Sequence, residues 1–572
     1  MTNYIFFDKI YLENKEGDYM NNTISITFDN NTTKEYTKGT TILDISKDRR
    51  PLFQHDIIIA KLDNDLVELT EKIDKSCHIS FYDLSHPYGN ETYMRGMQYL
   101  LIKAYKDIIG RNKDINIEHS IDKGIYCESD TDLTDDMVKD IEKRMHELVS
   151  QKIIFKKVDV NRKEAIEYFK QSEQIDKSNL LKYNLSSVIT LYKFDDLYDY
   201  FYGYMPPDTS YLKYFKLTKI APRGIILCFP TTFSPSIIKP YIHHRQMFEV
   251  FREYASWGSI MNLVNVPDLN RIISDGKTKE LIQMSELFQT RKLGDIAEEI
   301  YKQKDKIKII LIAGPSSSGK TTTSKKLAIH LKSKGLTPKN LSTDDYFLER
   351  EQTPKDEKGE YDYETIDAID IDLFNENLSK LLNKEEVSLP AYNFITGKKE
   401  YPTTKKMVLN DKDVLIIEGI HGLNEKLTEK IPREQKYKIY ISPLTQLSID
   451  NHNRIHTTDA RLLRRMVRDY KFRNYSAEDT IKSWPMVRKG EEKYIFPYQD
   501  EANIILNSSL VYEIGVLKSF VEPLLFSVEE DKEEFIEAKR LLYFLRNFLP
   551  ISPEDIPKDS VLREFIGGSS FE

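Results

Sequence analysis

At 572 residues the chain is too long for one hydrophobic core and implies roughly three or four domains. With 40% hydrophobic and 30% charged residues it reads as a soluble globular protein, and a net charge of −8 excludes a chain-wide polyanion binder while leaving room for a local basic patch. Cys77, Cys127 and Cys228 are dispersed without metal-ligand spacing, and neither a leader pattern nor a run of about 18 apolar residues is found, so the expected setting is cytoplasmic, without membrane contact.

Residues 1–84 predict a small β-grasp-like module. The stretch 24–28 alternates apolar and polar residues, 43–48 suggests a short helix, and 56–69 a hairpin turning at Asn64-Asp65. Residues 85–240 predict an α+β domain in which Thr134 caps a helix with Asp135 and Asp136 in its first turn, and Met137, Ile141, Met145 and Leu148 share one face. Two or three helices follow over 241–304. Residues 305–525 read as α/β, a parallel sheet with flanking helices. A helical tail over 526–572 packs through Leu541, Leu542, Phe544, Leu545 and Phe548.

The strongest signal is at 307–331. An apolar run to Ala313 predicts a buried strand, Gly314-Pro-Ser-Ser-Ser-Gly319-Lys320-Thr321 fits G-x-x-x-x-G-K-[ST], and Leu327, Ala328 and Leu331 keep a helical period up to Gly335. Such a loop wraps its backbone N–H groups around a triphosphate at a helix N-terminus. The candidate ATP-binding residues are therefore Gly314, Ser316, Ser317, Ser318, Gly319, Lys320, Thr321 and Thr322, with Lys320 reaching the β- and γ-phosphates and the Thr321 hydroxyl on Mg²⁺. A Gly/Ser-rich turn that binds nothing is the bland alternative, and the fit of both flanks weighs against it.

Three later features suit phosphoryl transfer. The stretch 339–347 predicts a second strand ending in Asp344 and Asp345, where a carboxylate can take the proton of an attacking hydroxyl; an Asx turn is the alternative. The stretch 413–423 predicts a third strand ending in Glu418, a candidate metal partner or else a solvated strand end. On a helix over 459–473, Arg461, Arg464, Arg465 and Arg468 share one face, with Arg473 just beyond. That face is either solvated or a mobile lid that neutralises developing charge.

Two resemblances add to this. The stretches INIEHSIDKGIYC, DDMVKDIEKRMHELV and FKLTKIAPRGI resemble the second N-terminal, mischarged-tRNA-hydrolysing domain of threonyl-tRNA synthetases, and the start of the chain resembles their TGS module. The family's metal-capable positions align with Tyr93, Met97, Phe201 and Met205, which cannot serve a zinc site, so no editing activity is expected and RNA binding is left open. GPSSSGKTTTS, LSTDDYF, YDYETIDAID, LPAYNFITG, VLIIEGI and RLLRRMVRD resemble, in order, the uridine/cytidine kinase branch of the phosphoribulokinase family over about 305–510. That resemblance implies Asp344 as the base, with Lys320 and Arg468 also catalytic. It further implies Tyr346, Glu364, Tyr392, Phe394 and Arg465 around the nucleoside, Arg473 on ATP, and Thr321 with Glu418 on Mg²⁺. Where the family reads uridine with a histidine, this chain has Thr396 and Gly397, which leaves the preferred base open. The expected activity is transfer of the ATP γ-phosphate to a nucleoside 5′-hydroxyl, most simply of uridine. The alternatives are kinase action on another small alcohol, or an RNA- or ligand-sensing ATPase; homo-oligomerisation is compatible with each.

Overall fold

A computed structural model describes residues 23–355, 359, 361–393 and 396–571. Near its start, Thr23–Phe28 pairs antiparallel with Thr33–Thr37 and parallel with Cys77–Tyr82, and Ile59–Leu62 and Asp65–Glu68 complete a five-stranded sheet. Ile24, Ile26 and Phe28 point one way at strand period and share a core with Ile42 and Ile45 of the helix Ile42–Arg49. The hairpin turns one residue earlier than expected, because Leu62 already pairs with Asp65 and Asp63 takes the positive φ of 49°.

Next come a four-stranded antiparallel sheet, in the order Lys216–Ala221, Gly224–Cys228, Gly124–Ser129, Ile115–Ile121, and a separate three-stranded one. The helices Pro87–Ile108 and Asp135–Ser150 share one apolar core with them. Thr134 accepts from the Met137 N–H as a cap should, but Val138 joins Ile141, Met145 and Leu148 on the buried face, and Met137 is exposed. Tyr93, Met97, Phe201 and Met205 all lie in this core, at 0–4% exposure. The Tyr93 hydroxyl is bonded to the Tyr214 backbone, donating to its carbonyl and accepting from its N–H, and the Met97, Phe201 and Met205 side chains are buried beside it. Three helices, Arg245–Ile260, Val266–Ser274 and Thr278–Lys302, lead into the second half.

That half is built on a wholly parallel sheet. The elements that frame its loop and strand ends are, in chain order, β1 (Ile309–Ala313), α1 (Lys320–Ser333), β2 (Thr337–Ser342), β3 (Asp413–Glu418), β4 (Lys436–Ser442), α2 (Thr457–Arg473), α3 (Ala477–Tyr494), β5 (Ile504–Asn507) and the single turn α4 (Arg563–Ile566). The strand order is β2-β3-β1-β4-β5. Every residue of central β1 is buried, the unbroken apolar run of a strand covered on both faces. It starts two residues later than the sequence suggests, since the Lys306 and Ile307 N–H groups still bond to Gln303 as the chain leaves its long helix. In the tail, Leu541, Phe544, Leu545 and Phe548 are buried and Leu542 is half-buried, in a core shared with α2 and α4. Among the described residues no helix is long and apolar enough to cross a membrane.

Candidate active site

The chain leaves β1 at Gly314 and re-enters helix at Lys320, after Ser317 and Gly319 take positive φ values of 60° and 86°. The Ser317 and Ser318 hydroxyls are buried without a hydrogen-bond partner, and the Lys320 ammonium folds back onto the Gly314 and Pro315 carbonyls at 3.0 and 3.2 Å. A loop whose donors turn back on its own carbonyls suits an anion that would replace those contacts.

Register brings the other strand ends to this loop. Glu418, last in β3, lies level with Ile312 of β1 and with Ser342 of β2. β2 stops there, earlier than expected, because the Ser342 hydroxyl accepts from the Asp344 N–H and starts a 3₁₀ turn over Thr343–Tyr346. Asp344 and Asp345 thus sit on that turn, just past the strand. Gly419 allows the crossing: a Cβ there would fall 1.8 Å from the Thr343 hydroxyl. The Thr321 hydroxyl lies 3.2 Å from both Glu418 oxygens.

These charges act on one another. Burial raises the Glu418 pKa and Asp344 adds to the rise, against Lys320, to about 7. Burial lowers the Lys320 ammonium against the pull of Glu418, Asp344 and Glu564. Asp344 is exposed to solvent; the surrounding protein raises its carboxyl, opposed by Lys320 and Arg473. A hydroxyl and one carboxylate at this spacing suit a hard divalent cation that keeps water and shares phosphate oxygens. The described residues contain no group of three or more His, Cys, Asp or Glu that would form an all-protein cage.

The arginine helix divides in two. Arg461 and Arg464 are fully buried, which corrects the reading of one solvated or mobile face. Arg461 donates to the Ser316 carbonyl at 3.0 Å and pairs with Glu491; Arg464 donates to the Ser508 carbonyl at 2.9 Å and pairs with Glu513. They buttress the loop from behind. Arg465 donates to the Ser316 hydroxyl at 2.9 Å, and Arg465, Arg468 and Arg473 gather around buried Asp469 at 3.2, 2.7 and 3.6 Å.

On the acceptor side, Glu364 is half-buried, and burial raises its carboxyl against Arg465 and Lys320. Tyr346 is not on the cleft surface: it has 0% exposure, its ring meets Phe374 edge-on and its hydroxyl accepts from Asn377 at 3.1 Å. Tyr392 is buried edge-on against Phe347, and Phe394 falls outside the described residues. The Arg350 side chain lies against Gly397, at the position of the absent base-reading histidine.

Sequence reasoning missed four residues. Asp469 could have been found from its i, i+4 spacing to Arg465 and Arg473. Glu491 donates no local signal, although its carboxylate accepts from the Ser316 N–H at 3.2 Å. His421, three residues past Glu418, is 1% exposed, and burial lowers its pKa to about 4, so it is neutral. Glu564 reaches the loop from the far end of the chain.

A lysine-bearing anion loop, strand-end carboxylates and an arginine helix around a parallel sheet define a P-loop phosphotransferase. The profile of the phosphoribulokinase / uridine kinase family matches residues 309–514. A uridine kinase from Staphylococcus aureus is 32% identical over 199 residues, covering 35% of this chain and 86% of that enzyme. The chain belongs to the phosphoribulokinase / uridine kinase family. Its N-terminal part is similar to a threonine–tRNA ligase from Carboxydothermus hydrogenoformans, 27% identical over 201 residues, 35% of this chain and 32% of the ligase, so the chain spans about a third of that relative. A solved structure described as a possible uridine kinase from Bacillus stearothermophilus aligns with 38% of this chain and 98% of its own, at 19% identity and a TM-score of 0.25.

Proposed function

We propose that the chain is an ATP-dependent nucleoside kinase, with uridine or cytidine as the leading acceptor. One observation carries the reading: the level ends of β1, β2 and β3 gather Lys320, Asp344 and Glu418 at one loop. In this reading Lys320 and the loop N–H groups hold the donor's phosphates. Asp344 takes the proton of the 5′-hydroxyl as its oxygen bonds to the γ-phosphorus and ADP leaves. Arg465, Arg468 and Arg473, steadied by Asp469, neutralise charge on the transferring group. Glu364 accepts from the sugar hydroxyls, and Tyr392 borders the base. Thr321 and Glu418 would hold Mg²⁺, which supplies charge neutralisation at the phosphates when bound. The division of the chain near residues 84, 240, 304 and 525 belongs to the same proposal, the kinase being the fourth segment.

A nucleoside panel with coupled detection of ADP tests it. One nucleoside should raise ADP release well above the water background and yield its 5′-monophosphate. A rate indifferent to every nucleoside would reject the reading and point to another alcohol or a sensing ATPase.

A further inference from the structure

The nucleotide loop is also touched from outside the family match. Glu564, on α4, accepts from the Thr322 backbone N–H at 3.0 Å and from the Thr322 hydroxyl at 2.7 Å. Thr322 lies in the first turn of α1, where backbone N–H groups lack intrahelical partners and the helix end favours anions. In loops of this pattern those groups cradle phosphate oxygens. A carboxylate therefore already occupies a seat that the proposed reaction gives to a phosphate.

The segment that carries it is firmly placed. Leu562, Phe565 and Ile566 are buried in the core shared with α2. Lys326 pairs with Asp559 at 3.1 Å, and Lys471 donates to the Ile566 carbonyl at 2.6 Å. Val561 lies against the loop itself: a Cβ on Gly319 would come 2.5 Å from its methyl. Ser560 donates to Glu286 on the helix Thr278–Lys302, which ties the approach to α4 to the connector from the N-terminal half.

We propose that Glu564 is an internal competing anion: its side chain fills part of the phosphate cradle, swings out when a nucleoside triphosphate enters, and so sets the affinity of the donor site. The buried apolar residues of α4 keep it docked on α2, and loss of both bonds to Thr322 loosens the backbone around it as the carboxylate leaves. This rests on the phosphotransferase reading above.

Calorimetric titration of the full-length chain with ATP, for the wild type, Glu564→Gln and Glu564→Ala, tests it, with a melting curve for each. Glutamine keeps an acceptor for Thr322 and removes only the charge, so it separates competition from loss of fold. Both folded variants should bind ATP about tenfold more tightly than the wild type. Hydrogen exchange in 559–571 should rise on adding ATP to the wild type. Unchanged or weaker ATP binding in folded Glu564→Gln, or protection of 559–571 by ATP, overturns the proposal and leaves the kinase reading standing. If neither wild type nor variants bind ATP while folded, the phosphotransferase reading falls and takes this inference with it.

Discussion

Two lysine–carboxylate clusters in this molecule are made of the same groups and do opposite things. Lys177 is fully buried where the N-terminal half meets the short hairpin of Ser448–Asp450 and Asn453–Arg454 that follows β4. Its ammonium lies 3.1 Å from Asp199 and 3.4 Å from Asp450, while His452 reaches Asp199 at 2.6 Å and Asp114 at 2.9 Å. Each charge there is answered by protein. At the loop, Lys320 bonds to backbone carbonyls, Asp344 opens to solvent, and the Ser317 and Ser318 hydroxyls are left without partners. Charges that converge without pairing one another mark a place built for a ligand; charges that close on one another mark a joint.

Swapping one lysine from each cluster should separate them most sharply. Lys177→Met strands two buried carboxylates and should cost about 3–5 kcal/mol of stability, read as a large fall in Tm. Lys320→Met should leave Tm unchanged and cut turnover by on the order of 10³. Equal losses of stability in both variants would erase the contrast.

The joint should also show a gentler pH signature. Burial and Lys177 push the His452 pKa down, but Asp114 and Asp199 outweigh them and hold it at about 9. An unfolded histidine titrates near ~6.5, so the folded protein binds the proton more tightly. The stabilisation is full below about 6.5 and is lost as the pH rises through about 9. The denaturation midpoint should fall across that window, and His452→Gln should flatten the fall. A midpoint that climbs over the same interval would contradict the assignment.

The sequence was most legible where the determinants are local. Strand, loop and helix at 309–333 follow from an apolar run, a glycine pattern and a helical period within about 25 residues. Thr134 as a cap was legible for the same reason. Errors of one residue, at the 63–64 turn and at Val138, arose because neighbouring positions satisfy the period almost equally well. What the sequence hid is set by distant partners. A helical wheel shows four arginines on one face, but Glu491 and Glu513, which bury two of them, lie on later elements. Tyr346 follows the aspartates directly, yet Phe374 and Asn377 draw it into the core. Glu564 is separated from Thr322 by most of the second half of the chain, and no spacing rule links them.

The most direct measurement is Asp344→Asn, with ATP affinity and nucleoside phosphorylation followed on the same preparation. ATP affinity should be nearly unchanged while phosphoryl transfer falls by on the order of 10³. Transfer at the wild-type rate, or loss of ATP binding in step with loss of transfer, would show that the carboxylate on the β2 turn and the lysine of the loop do not serve the same phosphoryl group.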